Sequence, residues 1–168
     1  CGSMLWRMLP IWDSDFDYLV CRDVDSLPMH RDRKMLEEAF AAGASVHAIL
    51  DSESHSGPLM GGMTAYHAPT MRNLFSNFAT FIGNAPAALT FNNHGDDQRF
   101  LNSVVWPLLM TKTFVHQRRR DIAYPQAMMT KPVAPQETPV DLVVRHIGAG
   151  YPVEKAMDVL RAHYPQPR

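Results

Sequence analysis

The sequence predicts an α/β fold, and three observations carry that expectation. Short apolar runs rich in strand formers, FDYLVC (16–21), SVHAIL (45–50) and KTFVH (112–116), alternate with longer stretches at helical spacing. The helical stretches bring their own punctuation, with proline near their starts and glycine at their ends. The first run also finishes in a polar cluster, Arg22-Asp23-Val24-Asp25-Ser26. That is the carboxyl end of a strand, where α/β sheets collect their ligands.

Taken in order, FDYLVC reads as a buried strand. Pro28 opens a helix in which Met35, Leu36, Ala39 and Phe40 recur at helical spacing, and Gly43 stops it. SVHAIL is the next strand, followed by the polar loop DSESHSGPLMGG (51–62). GGMTAY begins a further strand, with glycines where a backbone or ligand comes close. PTMRNLFSNFATFIG (69–83) reads as one helix from a proline to Gly83, and its aromatic stripe as core packing. AALTF (87–91) fits a strand or a helical turn. DDQRFLNSVVWPLL (96–109) is helical until Pro107, and KTFVH is a strand. Residues 124–139, polar and proline-rich, read as an irregular crossing segment. PVEKAMDVLRAHY (152–164) is a last amphipathic helix with Val153, Ala156, Met157 and Leu160 on one side.

Residues 1–168 are expected to form a single domain with a sizeable core, at 46% hydrophobic and 20% charged residues. A formal net charge of -1 gives no general pull toward nucleic acid or acidic membranes. The basic cluster QRRRD (117–121) reads as a solvated face. No run approaches the roughly 20 apolar residues of a membrane span. No targeting signal is visible, and the opening CGSM looks like a cut end ahead of Met4. Cys21, inside an apolar run, reads as a buried free thiol.

The acidic cluster poses the chemical question. Two carboxylates beside each other repel, and burying them costs several kcal/mol or more unless something pairs with them. Asp23 and Asp25, released from a strand, can turn toward one point and suit a hard divalent ion such as Mg²⁺ or Mn²⁺, leaving coordination positions for water and substrate phosphates. The plainer reading is a turn, with Ser26 or Asp25 capping the next helix.

The wider context makes the resemblance specific. CRDVDSLPMHRDRKMLEEAFAAGASVHAILDSESHSGPLMGGMTA resembles a block of GT-A type glycosyltransferases. The ordered features are Arg22-Asp23-Val24-Asp25-Ser26, then His47, Asp51, His55 and Gly61-Gly62. Downstream, DDQRFLNSVVWPLL is similar to the family's Asp-Gln helix, FVHQ to its Val-His strand end and RHIGAGY to its closing segment. The resemblance covers roughly residues 5–152. It implies a GT-A-like, Rossmann-like mixed sheet flanked by helices. It implies transfer of a sugar from a nucleotide-diphosphate donor to a hydroxyl of a glycan, lipid or protein acceptor, with Mn²⁺ or Mg²⁺ as cofactor. On this reading Asp23, Asp25 and either His116 or His146 hold the metal. Arg22, Ser26, Asp51, His55, Gly61 and Gly62 bind substrate, and Asp97 or Gln98 acts at the anomeric carbon. Two departures stand out: Gln117 replaces an expected Asp, and only 22 residues precede Asp23, so the chain reads as the later part of a catalytic domain that lacks its nucleotide-binding half.

Each residue also has a plainer role. Asp51 and His55 are loop residues that fit solvent as well as a sugar. His47 lies within a strand, where a histidine is usually a satisfied core residue. Asp96, Asp97 and Gln98 can cap their own helix, because the dipole favours acids there. Two other functions compete. A haloacid dehalogenase-like phosphohydrolase would use Asp23 as nucleophile, Asp25 as acid/base and GDD (95–97) as its late acidic motif, although Lys34 is the only lysine between them. A non-catalytic truncated binding domain would keep the fold without the donor pocket.

Overall fold

A mixed five-stranded sheet, ordered β1-β3-β2-β4-β5, forms the frame of the molecule. The computed structural model describes residues 4–13, 15–23, 26, 29–52, 54–55, 57–118, 122–136, 158 and 161–162. The strands are β1 (Tyr18–Val20), β2 (Val46–Leu50), β3 (Thr64–His67), β4 (Thr113–Gln117) and β5 (Met129–Pro132). β3 runs antiparallel to both β1 and β2, whereas β2, β4 and β5 are mutually parallel. The carboxyl ends of β1, β2, β4 and β5 therefore face the same edge of the sheet. Asp23, Asp51 and Arg118 all leave the sheet there.

A short 3₁₀ helix, Met4–Met8, leads into α1 (Pro10–Asp13). Next come α2 (His30–Ala41), α3 (Ala68–Leu74), α4 (Phe78–Gly83), α5 (Asp96–Phe100) and α6 (Trp106–Leu109). Strand alternation explains the two layers. Val46, Ala48 and Leu50 of β2 and Val115 of β4 point into the main core, with Leu5, Met8, Ile11, Tyr66, Phe81 and Phe100. His47, Phe114 and His116 point the other way, toward α2, where Phe114 packs with Ala39 and Ala44. With both faces covered, every residue of β2 is buried.

Four local expectations change. The stretch 69–83 is two helices, because Asn77 adopts an extended backbone and its side chain accepts the Thr80 N–H at 2.8 Å, starting α4 afresh. The helix from Asp96 does not stop at Pro107. A π-helical turn, Leu101–Val105, precedes α6, and Pro107 falls in the first turn of α6, where its missing N–H costs least. AALTF forms neither a strand nor a helix. Inside the proline-rich segment, Met129–Pro132 pairs with β4 as a parallel edge strand, an arrangement that tolerates Pro132. The last predicted helix lies mostly outside the described residues, of which Asp158, Arg161 and Ala162 are helical. Among the described residues no helix is long and apolar enough to cross a membrane.

Candidate functional site

Where β1 ends, Cys21 is still core. Its N–H donates to the Thr64 carbonyl at 3.0 Å, its thiol lies 3.9 Å from Met8 Sδ, and burial pushes that thiol up to about 11. Arg22 turns to the opposite side and clamps α2. Its Nε and Nη2 donate to the two oxygens of Asp32 at 2.9 and 2.6 Å, and its Nη1 donates to the Cys21 carbonyl at 2.6 Å. That guanidinium is committed to holding the strand end, which corrects the expectation that Arg22 contacts substrate. Ser26 N–H donates to the Asp23 carbonyl at 2.9 Å and closes a turn after the strand. Asp25 lies outside the described residues.

Asp23 faces a different neighbourhood. Its carboxylate, 44% exposed, accepts from Arg7 Nη1 at 3.0 Å and rests against the backbone of Gly62. A Cβ at Gly62 would overlap that carboxylate, and a Cβ at Gly61 would overlap the carboxylate of Asp97. Among the described glycines only Gly43 and Gly95 have positive φ, so Gly61 and Gly62 are needed for space and not for backbone conformation. The glycine pair thus leaves room for Asp97 against Gly61 and for Asp23 against Gly62. Beside it opens a cleft of about 290 Å³, lined by Arg7, Asp23, Gly62 and the segment from Phe91 to Gln98.

Asp97 reaches this position because α5 is pinned to the loop before β3. Asn102, in the turn after α5, accepts the Leu59 N–H at 2.9 Å and donates to the carbonyls of Leu59 at 2.9 Å and Gln98 at 2.7 Å. The neighbouring acid does other work. Asp96 is buried, accepts the Asn93 N–H at 3.0 Å and pairs with Arg99 at 3.3 Å. It builds the cleft wall while Asp97 and Gln98 face the opening. Phe91, in the same wall, has φ +57°, a left-handed conformation that costs an aromatic residue about 1–2 kcal/mol and is held here against Phe100, ring centroids 5.7 Å apart. Below the floor lies Tyr66, whose phenol burial pushes well above its usual range.

The remaining expected residues gather elsewhere. Asp51 is fully buried between two guanidinium groups, Arg31 Nη2 at 2.9 Å and Arg118 Nε at 3.3 Å. It joins α2 to the ends of β2 and β4, with both guanidinium groups on its carboxylate. His55 is buried, and its Nδ1 accepts the Ser52 N–H at 3.3 Å. His116 also departs from its expected role as a metal ligand. Its Nδ1 lies 2.9 Å from His47 Nε2, and its Nε2 is 3.1 Å from Glu38, which also pairs with Lys131. Burial holds both imidazoles below their ordinary range, His47 far below and His116 less so because Glu38 opposes the shift. Two strands, β3 and β2, separate β4 from β1, roughly 14 Å at about 4.8 Å per strand. His146 lies outside the described residues.

Whether a hard divalent ion fits can be judged from the donors present. Asp23 offers partly exposed carboxylate oxygens at the edge of the cleft that Asp97 and Gln98 also line. Among the described residues no three His, Cys, Asp or Glu side chains converge to hold an ion by themselves. The arrangement fits an ion that takes few protein ligands and completes its shell with water and phosphate. Arg7 and Asn102 were not singled out from the sequence. Asn102 lies four residues after Gln98 within the helical motif, whereas Arg7 is sixteen residues from the carboxylate it pairs with. Comparison with protein-family models, curated proteins and solved structures finds no match.

Proposed function

We propose that this chain carries the metal and sugar side of a GT-A-like glycosyltransferase, which moves a sugar from a nucleotide-diphosphate donor to a hydroxyl acceptor. One observation carries the reading. Asp23 against Gly62 and Asp97 against Gly61, distant in sequence, line one cleft beside the carboxyl end of β1. Asp23, with Asp25 beside it in sequence, would hold Mn²⁺ or Mg²⁺, and the ion would supply the positive charge that a leaving diphosphate needs. Asp97, which lines the same cleft, would take the acceptor proton or stabilise positive charge at the anomeric carbon. Gln98, Asn92 and Asn93 line the same cleft and offer amide groups to sugar hydroxyls. The mixed sheet, with β3 antiparallel between β1 and β2, supports a GT-A-like arrangement.

The test is release of nucleoside diphosphate from a panel of nucleotide sugars, with and without Mn²⁺. Turnover that needs the ion and falls about 10²–10⁴-fold in Asp97→Asn supports the reading. Cleavage of a simple phosphomonoester through phosphorylated Asp23 would replace it with the phosphohydrolase.

A further inference from the structure

We propose that Arg7 is the resident counter-cation of Asp23. A divalent ion arriving at Asp23 displaces its guanidinium, which then takes a phosphate oxygen of the incoming diphosphate. The inference rests on the proposed metal and donor site, and adds to it a coupling between ion and diphosphate built into the N-terminal turn.

Three facts point to Arg7. Its Nη1 is 3.0 Å from Asp23 Oδ1, so it occupies the oxygen that an ion would need. It also stands beside Asp97, since a Cβ built on Gly61 would find Arg7 Nη1 at 3.8 Å as well as the Asp97 carboxylate. One guanidinium thus serves a cleft that presents two carboxylates, and the second negative charge leaves an attraction for further cation. Finally, Arg7 Nε donates to the Met4 carbonyl of its own turn at 3.0 Å. This tether keeps the guanidinium at the cleft when the bond to Asp23 opens. The side chain is only 18% exposed, so release into the cleft is shorter than release to solvent. A diphosphate brings the negative charge that the metal has taken from Arg7, and a planar guanidinium pairs with phosphate through two parallel hydrogen bonds.

The two halves of the exchange predict opposite signs for one substitution. Mn²⁺ binding to the full chain is measured by electron paramagnetic resonance for wild type, Arg7→Gln and Arg7→Lys. Inorganic diphosphate binding is then measured at saturating Mn²⁺. Arg7→Gln should bind Mn²⁺ about two- to fivefold more tightly, the worth of a partly exposed ion pair. It should bind diphosphate about tenfold or more weakly, the worth of a charged hydrogen bond. Arg7→Lys keeps the charge without the fork, so it should match wild type for Mn²⁺ and lose several-fold for diphosphate. A residue that only supports the fold would move both affinities the same way. Unchanged or weaker Mn²⁺ binding in Arg7→Gln overturns the proposal and leaves the metal site standing. Absence of Mn²⁺ binding in all three proteins overturns both. If Arg7→Gln does not fold, equal diphosphate affinity in Arg7→Lys and wild type overturns it.

Discussion

Acidic residues stand at the carboxyl end of both β1 and β2, yet the two places are built in opposite ways. At the end of β2, Asp51 is fully buried and held by Arg31 and Arg118, while the adjoining His47, His116 and Glu38 form a chain behind the sheet that leaves His47 Nδ1 without a hydrogen-bond partner among the described residues. At the end of β1, Asp23 stays partly open, with one cation on it and Gly62 against it, and Asp97 packs on the neighbouring Gly61 and lines the same cleft. The chemistry of the side chains is alike. What differs is exposure and the number of cations on each carboxylate: none of Asp51 is exposed and two guanidinium groups hold it, whereas Asp23 is 44% exposed with one. A carboxylate buried between two cations serves architecture, and one that is half open can serve a ligand.

The comparison is tested most severely at Asp51. Asp51→Ala removes the carboxylate between two guanidinium groups, one of them on the 2% exposed Arg31, and should cost about 3–5 kcal/mol in denaturant unfolding. A cost under 1 kcal/mol would mean that the closed region is not closed. Gly62→Ala comes next. Its Cβ must push the Asp23 carboxylate or the loop aside, so a loss of about 1–3 kcal/mol is expected, together with loss of Mn²⁺ binding. Retained Mn²⁺ affinity in that variant would show that Asp23 does not need its present position.

The histidine pair gives a pH signature confined to the closed region. Burial keeps His47 and His116 neutral in the fold below the pH at which free imidazole takes up a proton. As pH falls through about 6.5, the unfolded chain binds protons that the folded chain does not, and stability drops. The charged groups facing the pair are Glu38 on α2, Lys131 on β5 and Arg22 after β1. Unfolding midpoints between pH 7 and pH 5 should fall in wild type and fall less in His47→Gln. Mn²⁺ affinity of His47→Gln at pH 7 should equal that of wild type. The smallest effect on stability belongs to Asp97→Asn, within about 0.5 kcal/mol, although the same change should lower turnover about 10²–10⁴-fold.

Much of the frame was legible because strand and helix periods are local. FDYLVC, SVHAIL and KTFVH each contain a strand, and the helix after Pro28 ends before Gly43 as its apolar spacing indicates. The misses occur where a single side chain overrides the pattern, as Asn77 does in splitting one expected helix into α3 and α4. At the site, the sequence singled out Asp23, Gly61, Gly62 and Asp97, and the fold brings Asp97 against Gly61 and Asp23 against Gly62. The fate of Arg22, Asp51 and His116 was not legible. Whether an acid meets an arginine inside the fold depends on partners such as Asp32, Arg31 and Glu38, and their arrival is a matter of packing between elements. Arg7 was hidden for the same reason, since only the docking of the Met4–Met8 turn brings it to Asp23.

The most direct measurement is an anomalous difference map from a crystal soaked in Mn²⁺ and inorganic diphosphate. The account predicts a manganese peak about 2.0–2.3 Å from an Asp23 oxygen, with diphosphate on its cleft side and the His47–His116–Glu38 chain unaltered. A peak on that histidine chain, or no peak at Asp23, would contradict it.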